Sequence, residues 1–340
     1  MIIDMHHHWI PEGLSRVLRQ RKEPPLIERR DDGREHLVTN VIGGFPLTEG
    51  FDSVERRIAE MDEGGVDRAV LSLIALGIEL MPIGQGLPML RVYNDSVSRM
   101  CAAHPDRFSA LAAVPYTDVA AAVEEFERAM DLPGMVGAQL PGDGFLSQKR
   151  AERWRPLFEA ANRRRAHLLV HYGRQPDDPE APRPDFSDNR TPRQGTLDMQ
   201  SRLSSNMITF VLTDFLADFP NVSVQSHNLG GNIPLEVERL DHRFMITNPG
   251  EELPSAKFRH MKMVVDCNSY GPRGIEMAVA AYGADKIVFG TDGTLFGMEW
   301  SKKAVAEARI SDAEREAILH ANAARCIAPN LHRDARAAAE

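Results

Sequence analysis

The chain has 340 residues, of which 43% are hydrophobic and 26% are charged. This composition supports a sizeable core and excludes a wholly disordered chain. The length allows either two domains or one α/β barrel of about 250 residues that carries insertions. The 49 acidic residues outnumber the 40 basic ones and give a net charge of −9, which argues against a nucleic acid or an anionic membrane surface as the main partner.

Three features of the sequence predict a cytoplasmic protein. The longest clearly apolar stretch, residues 69–78, is about half the roughly 20 residues that a membrane-spanning helix needs. The first residues contain no basic segment followed by an apolar one, so we expect no secretory signal. The cysteines, Cys101, Cys267 and Cys326, are odd in number and far apart, which fits a reducing compartment better than a disulfide framework.

Eight apolar runs alternate with amphipathic, helix-like segments along the chain. Most of the runs read as continuously hydrophobic, not alternating, over their first four or five residues, which is typical of parallel strands that are covered on both faces. Eight strands that alternate with helices predict a (β/α)8 TIM barrel, with a doubly wound open sheet as the alternative. The runs are residues 1–8, 68–74, 108–115, 135–141, 166–173, 222–230, 262–270 and 286–293.

Two connections are longer than a minimal barrel needs, and both follow strand ends on the face where barrel enzymes bind their substrates. Each is therefore a candidate lid or substrate wall. In the first, Asp32 and Gly33 lie between segments of alternating polarity and predict a small β-hairpin. For the second, a disordered surface loop is the alternative. We predict a single barrel domain over residues 1–340, with insertions at about 12–51 and 174–205 and a tail at about 330–340.

The last predicted helix has recognisable ends. Ser311 and Glu314 form the Ser-x-x-Glu pattern of a capping box, which predicts a helix start at this point. Because proline lacks a backbone N–H and disfavours helix interiors, we expect the helix to end before Pro329.

Four predicted strands end in residues that can bind a metal ion. His6 and His8 are two residues apart at the end of the first strand, so both side chains point to the same face. His171, His227 and Asp292 end the fifth, sixth and eighth strands, and strand ends meet at one rim of a barrel. Imidazole and carboxylate donors suit Zn²⁺ or Mn²⁺ and leave room for a water molecule whose pKa the ion lowers. Five unrelated buried polar residues, each with its own partner, are the alternative.

Four short motifs lie on these predicted strands: DMHHHWIP at 4–11, LVHYG at 169–173, SHNLGG at 226–231 and FGTD at 289–292. Together they resemble the signatures of the amidohydrolase superfamily, and more narrowly those of its aminocarboxymuconate-semialdehyde decarboxylase-like branch. The resemblance covers nearly the whole chain. It implies a (β/α)8 barrel, a metal-dependent carboxy-lyase or hydrolase and, by default, a homodimer.

The resemblance also implies a role for each matching residue. His6, His8 and His171 would be metal ligands, Asp292 would be a further ligand near the catalytic water, and His227 would be the general acid or base. Family members that hold two metals generally carry a carboxylated lysine on the fourth strand. This chain has Gln139 there, so the resemblance implies a site with one metal ion.

In three motifs the chain departs from the family's pattern. Asn228 and Leu229 follow the sixth-strand histidine, where the family commonly has a glycine triplet, and Gly293 follows the last-strand aspartate, where an aromatic residue is common. Several decarboxylases of the branch that act on aromatic acids begin the first ligand pair with glutamate, where this chain has His6. The identity of the substrate is therefore not implied by the resemblance.

An anionic substrate needs a fixed cation, and arginine is suited to bidentate carboxylate binding. Arg174, directly after the fifth-strand motif, is the residue that we expect to bind the substrate's carboxylate. Trp9 and Phe296 are candidate walls for an aromatic or dienoic substrate, with packing as the alternative. A solvated loop of mixed charge is the preferred interpretation for the remaining arginines of the second insertion, which are Arg183, Arg190, Arg193 and Arg202.

The first functional hypothesis is a mononuclear metal-dependent lyase that decarboxylates a small unsaturated or aromatic carboxylic acid through a metal-activated water. Zn²⁺ is the expected ion and Mn²⁺ the alternative. The second is a metal-dependent hydrolase of a lactone, amide or imide, because the same side chains also serve that reaction. The third is a metal-free barrel that acts as a binding module. A small anionic organic molecule is the expected partner in the first case.

Overall fold

Strands of this chain form two separate sheets. The structure is a computed structural model that describes residues 1–41, 43–176, 193–293 and 297–331. One sheet is parallel and has eight strands in the order β1-β5-β6-β7-β8-β9-β10-β11, and the other is antiparallel in the order β2-β3-β4. In chain order the strands are β1 (Ile3–His8), β2 (Leu26–Arg29), β3 (Glu35–Val38), β4 (Gly44–Pro46), β5 (Arg68–Ser72), β6 (Phe108–Ala112), β7 (Met135–Pro141), β8 (His167–His171), β9 (Ser223–Ser226), β10 (Val264–Asp266) and β11 (Ile287–Val288).

Backbone hydrogen bonds bring the last strand of the parallel sheet against the first. The Met5 N–H donates to the Phe289 carbonyl at 2.9 Å, and the Asp292 N–H donates to the His6 carbonyl at 2.8 Å. The sheet thereby curls into a barrel in which neighbouring strands follow one another along the chain. The predicted (β/α)8 fold is confirmed, and a doubly wound sheet, whose strand order reverses, is excluded.

Helices connect the barrel strands, and several begin at a side-chain cap. The Ser53 hydroxyl accepts from the Arg56 N–H, and the Asp118 carboxylate accepts from the Ala121 N–H, which satisfies backbone donors at the helix start. The α-helices are Glu12–Gln20, Val54–Gly64, Ile83–Ala103, Val119–Met130, Gln148–Ala151, Arg155–Arg164, Met199–Leu212, Ile233–Thr247, Pro254–Arg259, Pro272–Tyr282, Glu299–Glu307, Asp312–Glu316 and Asn322–Leu331. None of the described helices is both long enough and apolar enough to cross a membrane.

The barrel has an apolar interior at the amino ends of its strands. The side chains there come from seven of the barrel strands and from the last helix, which covers that end. A second and larger cluster lies between the strands and the surrounding helices. The interior cluster consists of Ile3, Met5, Val70, Leu111, Val136, Leu169, Val264, Val288, Ala323, Cys326 and Ile327.

A β-bulge in β1 places both histidines of the first motif inside the barrel. Asp4 and His7 lie opposite Ala69 and Leu71 of β5, so three steps along β1 match two steps along its neighbour. Because the extra residue shifts the alternation of side chains, residues at odd positions face inward before the bulge and residues at even positions face inward after it. The interior therefore changes from apolar to imidazole within one strand.

The last helical region of the chain starts where the sequence predicts but ends later than predicted. The capping box of Ser311 and Glu314 is present, with reciprocal side-chain to backbone hydrogen bonds. The expected end before Pro329 is wrong, because the helix Asn322–Leu331 continues through that proline. Pro329 lies in the final turn, where it removes a single backbone donor, and the Asn330 amide anchors this turn by donating to the Arg165 carbonyl at 3.0 Å.

In the first insertion, β2, β3 and β4 form the small antiparallel sheet. The turn between β2 and β3 contains the predicted Asp32 and Gly33, and Gly33 has a positive φ of 75°, a conformation that glycine adopts without strain. In the second insertion, residues 174–176 and 193–205 are described, and the start of the helix Met199–Leu212 lies within it.

Candidate active site

Three imidazole nitrogens converge at the carboxyl ends of β1 and β8. The Nε2 atoms of His6 and His8 lie 3.1 Å apart, and those of His8 and His171 lie 3.0 Å apart. All three Nε2 atoms lie within 4.8 Å of one another. The rings meet edge to face, with interplanar angles of 85° for His6 and His8 and 74° for His8 and His171. Nitrogens arranged in this way can share one cation.

The opposite nitrogen of each ring is held by a neighbour. His6 Nδ1 lies 3.1 Å from Asp266 Oδ2, and His8 Nδ1 lies 2.9 Å from the Ser72 hydroxyl oxygen. His171 Nδ1 donates to the Tyr172 carbonyl at 2.8 Å. A proton held on Nδ1 by an acceptor leaves the Nε2 lone pair available for a metal ion, and this outer contact also fixes the ring's orientation.

The three rings differ in how readily they bind the proton that competes with a metal ion. Burial, together with the neighbouring His8 and His6, lowers the pKa of His171 to about 3. Burial, with His6 and His7, also lowers the pKa of His8 well below its usual value. Burial lowers the pKa of His6 too, but the charge and hydrogen bond of Asp266 outweigh that effect and raise it to about 9. At pH 7 two rings are therefore neutral, and His6 must release a proton when a cation binds.

Asp292 adds a carboxylate to this group of imidazoles. It follows β11 with a positive φ of 56°, and its Oδ1 lies 3.6 Å from His8 Nε2. Within the described part of the chain, this buried oxygen has no hydrogen-bond partner. An unpaired buried carboxylate oxygen is costly unless a cation or a proton meets it, so the donor set fits one divalent cation.

His227 lies beside the three rings but uses its nitrogen differently. Its ring stacks on that of His171 with the centroids 4.4 Å apart and the planes at 26°. Its Nε2 accepts a hydrogen bond from the Tyr172 N–H at 2.8 Å, so the proton of the neutral ring resides on Nδ1. Burial and the nearby His171, His6 and His8 lower the pKa of His227 well below its usual value, which keeps the ring neutral at pH 7.

The two residues that follow His227 have a strained backbone. Asn228 and Leu229 have positive φ values of 51° and 53°, in the left-handed region that costs a residue with a Cβ about 1–2 kcal/mol. Hydrogen bonds hold both: the Asn228 N–H donates to Asp266 Oδ1 at 3.1 Å, and the Tyr282 hydroxyl donates to the Leu229 carbonyl at 3.2 Å. The turn after His227 is thus fixed by its neighbours instead of by glycine.

Asp266, at the end of β10, is a site residue that the sequence analysis missed. It is fully buried and accepts hydrogen bonds from the side chain of Gln225, at 2.8 Å, and from the ring of His6. Burial raises the pKa of Asp266, but His6 and these hydrogen bonds outweigh that effect, so the carboxylate stays ionised. The signal was present, because Asp266 is a polar residue at the end of the seventh apolar run, as are the ligands in theirs.

A second missed residue, Asp4, lies just behind the histidines. Its carboxylate accepts from the His6 and Thr291 N–H groups, each at 3.1 Å, from the Thr291 hydroxyl, and from His7 Nδ1 at 2.9 Å. His7 Nε2 in turn lies 3.2 Å from the guanidinium of Arg57. Asp4 thereby joins the end of β1 to the segment that carries Asp292.

A small cleft opens beside His171, and Arg174, the expected carboxylate-binding residue, lines it. The cleft is also lined by Glu79, Gln139 and Tyr116. Burial raises the pKa of Glu79 to about 7 even though backbone N–H groups stabilise its charged form. Gln139 lies on β7, the fourth barrel strand, where the resemblance leads us to expect lysine only in members that hold two metals.

The other expected substrate residues have mixed outcomes. Trp9 is 2% exposed, packs in the outer core and donates its indole N–H to the Phe51 carbonyl at 3.0 Å, which favours the packing role over a substrate wall. Arg202 donates to the buried Asp143 carboxylate at 2.5 Å, so it fixes the helix Met199–Leu212 to the end of β7. Phe296, Arg183 and Arg190, and the side chain of Arg193, lie outside the described residues.

Comparisons with known proteins agree with the resemblance of the four motifs. A gamma-resorcylate decarboxylase of Rhizobium sp. (strain MTP-10005) is 25% identical over 297 residues, which cover 81% of this chain and 87% of that protein. The crystal structure of 5-carboxyvanillate decarboxylase from Sphingomonas paucimobilis superposes with a TM-score of 0.72 at 22% identity, covering 96% of this chain and 99% of that one.

A third similar protein is the dihydroxybenzoic acid decarboxylase from Polaromonas sp. JS666, whose crystal structure contains manganese and the inhibitor 2-nitroresorcinol. It superposes with a TM-score of 0.66 at 20% identity and covers 97% of each chain. The structural likenesses show the shared barrel fold. The protein-family model described as Amidohydrolase matches residues 3–327. Because this match spans most of the sequence, the expected membership is confirmed, and the chain belongs to the amidohydrolase family.

Proposed function

We propose that this chain is a mononuclear metal-dependent decarboxylase of a small aromatic or unsaturated carboxylic acid. One observation carries the proposal: three Nε2 atoms and the unpaired Asp292 oxygen converge beside a cleft that contains an arginine. The similar proteins support it, because they are decarboxylases of aromatic acids by name.

His6, His8, His171 and Asp292 would hold the cation. A bound divalent cation supplies a Lewis acid that polarises a coordinated substrate oxygen and activates water. Three imidazoles and one carboxylate are donors that both Zn²⁺ and Mn²⁺ accept. Zn²⁺ is the ion expected from the donor set alone, and the manganese in the Polaromonas relative makes Mn²⁺ the first ion to load in the test below.

The protein's own side chains would position the acid and move one proton. In the cleft, the Arg174 guanidinium would bind the substrate carboxylate. A proton first adds to the ring carbon that bears the carboxylate and makes that carbon tetrahedral. The bond to the carboxylate carbon then breaks, its electron pair returns to the π system of the ring, and CO₂ leaves. An sp² carbanion has no electron sink, so the proton has to arrive before the bond breaks. Asp292 would take up a proton from water and pass it to this carbon, and His227 would assist.

The test measures metal content and product release together. We expect protein loaded with Mn²⁺ or Zn²⁺ to contain about one ion per chain and to release CO₂ from at least one member of a panel of hydroxylated benzoic acids and dienoic acids. The double variant His6→Ala with His8→Ala should lose both the ion and the activity. His260→Ala, which removes an exposed histidine outside the group of site residues, is the matched control and should retain both.

Two other outcomes decide against the proposal. Hydrolysis of a lactone, amide or imide panel without CO₂ release would assign the alternative hydrolase function to the same side chains. Absence of stoichiometric metal from the wild-type protein after loading would support the metal-free binding module. The homodimer and the cytoplasmic location remain predictions, and sedimentation analysis of the purified chain tests the first of them.

A further inference from the structure

Two buried hydrogen-bond acceptors line the cleft on the wall formed by β7 and by the turn after β5. Glu79 and Gln139 are 4% and 5% exposed, and both line the cleft that also contains His171 and Arg174. The proposed mechanism uses neither of them. Residues this well buried are seldom polar unless they meet a partner.

Gln139 is held in one orientation. Its Nε2 donates to the Leu73 carbonyl at 3.1 Å, which directs the other end of the amide away from that carbonyl. Its Oε1 is buried and has no hydrogen-bond partner in the described part of the chain. An amide oxygen is purely an acceptor, so a group that satisfied it would have to carry an O–H or N–H.

Glu79 is also fixed in place. It lies in the short turn Ile78–Leu80, and its carbonyl accepts from the Tyr116 N–H at 2.7 Å. The backbone N–H groups of Gly77 and of Glu79 itself hydrogen-bond to the carboxyl group, but a carboxyl group has about four lone-pair positions and can accept further donors.

A carboxyl group in a cleft that receives an anion has a consequence for selectivity. In its ionised form it disfavours any ligand that presents only apolar or acceptor groups to it, because the buried oxygens then lose water without gaining a partner. A ligand that presents an O–H or N–H gains a hydrogen bond at the same place. The difference in binding free energy between two such ligands is therefore larger than the penalty or the hydrogen bond alone.

We propose that Glu79 and Gln139 form an acceptor wall that selects substrates with a hydroxyl or amino group on the ring, and that they are specificity-determining residues. This inference rests on the proposed function only in placing the substrate in this cleft. Arg174 and the cation would bind the carboxylate end, and the acceptor wall would bind the donor group.

The experiment measures dissociation constants by calorimetry on the Mn²⁺-loaded protein, under conditions where no CO₂ is released during the titration. The pH is kept above the pKa of Glu79, which burial raises to about 7, so that its carboxylate can only accept hydrogen bonds. The probes are the three monohydroxybenzoates, each paired with its methoxybenzoate, which retains the oxygen and lacks the donor. We expect at least one hydroxybenzoate to bind about tenfold or more tightly than its methyl ether, as a hydrogen bond to a buried carboxyl group implies.

Variants assign the preference to the acceptor wall. In Glu79→Leu the ratio of the two dissociation constants should fall to within about threefold of unity, and in Gln139→Leu it should fall part of the way. Glu79→Gln retains an acceptor of the same shape and should keep most of the ratio. Both dissociation constants in a ratio are measured on the same variant. A smaller fraction of folded or metal-loaded protein therefore affects both measurements equally and does not change the ratio.

Two results would overturn the acceptor wall: no wild-type preference for any hydroxybenzoate, or an undiminished preference in Glu79→Leu. The outcome is separable from the proposed function. CO₂ release with an unchanged ratio in Glu79→Leu refutes the wall and leaves the decarboxylase standing. The expected ratios without CO₂ release from any acid refute the decarboxylase and leave the wall standing.

Discussion

His227 lies beside three histidines that can bind a metal ion, and it differs from them in how it uses the lone pair of its Nε2 atom. The Nε2 atoms of His6, His8 and His171 point at one position, whereas Nε2 of His227 accepts the Tyr172 N–H at 2.8 Å. A neutral imidazole has one free lone pair, so His227 cannot bind a cation without giving up this hydrogen bond. Its place beside the site instead suits proton transfer.

We therefore expect His227→Ala to retain the metal ion and to lose turnover. General acid–base catalysis contributes roughly 10²–10⁴ to a rate, and kcat should fall by a factor in that range while metal content by elemental analysis stays at the wild-type level. His227→Gln, which can still accept from the Tyr172 N–H, should show the same loss of kcat. If either variant loses its metal, His227 is a ligand and the assignment of its role is wrong.

Glu79 makes the stability of the protein depend on pH. Its pKa is about 7 in the folded chain against an ordinary value of 4.5. Below pH 4.5 the carboxyl group is protonated in both the folded and the unfolded chain, so it does not lower the free energy of unfolding. As the pH rises from 4.5 through 7, the unfolded chain ionises first, so the folded state loses stability relative to the unfolded one, by about 2–3 kcal/mol between pH 5 and pH 8.

Glu79→Gln removes this titration. We expect the variant's urea denaturation free energy, relative to that of the wild type, to rise by about 2–3 kcal/mol between pH 5 and pH 8. Titrations of the site histidines are common to both proteins and cancel in the difference. An equal difference between variant and wild type at the two pH values would mean that Glu79 is already ionised at pH 5.

At the scale of elements, the site depends on how β1 meets the segment after β11. Asp4 accepts hydrogen bonds from both sides of this junction, including the Thr291 N–H and hydroxyl, and the Asp292 N–H donates to the His6 carbonyl. The ligands of β1 and the carboxylate of Asp292 therefore keep their relative positions only while Asp4 can accept.

Asp4→Asn should weaken both folding and metal binding. The amide replaces one acceptor oxygen by a donor that faces other donors, and we expect a loss of roughly 2–4 kcal/mol in the free energy of unfolding and at least tenfold weaker metal binding. Thr291→Val, which removes one of the hydrogen bonds, should have a smaller effect, and Thr291→Ser should be close to the wild type. Urea denaturation and metal titration check this order, and equal effects for Asp4→Asn and Thr291→Ser would contradict it.

The sequence predicted the barrel and the residues at its rim because both follow from local patterns. Continuous apolar runs indicate buried parallel strands, and a polar residue at the end of such a run indicates the carboxyl rim. His6, His8 and His171 satisfy this rule, and their nitrogens do meet. Asp266 satisfies the same rule, because it directly follows the apolar residues of the seventh run.

Contacts made across the barrel could not be predicted in the same way. The bulge in β1 depends on pairing with β5, and the role of Asp4 depends on a residue 287 positions away. Trp9 next to the ligands looked like a substrate wall, but sequence neighbours in a strand face opposite sides, and the structure packs this side chain in the outer core. Burial of Glu79 in the cleft is likewise a property of the folded chain.

On the scale of the whole molecule, the barrel separates stability from chemistry at its two ends. The site lies at the carboxyl ends of the strands, while the last helix seals the amino ends with Ala323, Cys326 and Ile327. Barrel enzymes commonly show this division between a functional and a stabilising face. Substitutions of these three residues of the last helix should therefore alter stability without altering the site.

Ile327→Ala tests this separation. The side chain is fully buried in the interior cluster, and removing it leaves a cavity that should cost roughly 2–5 kcal/mol in the free energy of unfolding. Leu235→Ala, which truncates a side chain that is 69% exposed, is the matched control and should change stability by less than about 0.5 kcal/mol. Urea denaturation gives both values.

At temperatures where Ile327→Ala remains folded, its metal content and kcat should equal those of the wild type, because no metal ligand contacts these residues of the last helix. A fall in metal affinity in this variant would show that packing at the amino end sets the positions of the ligands at the other.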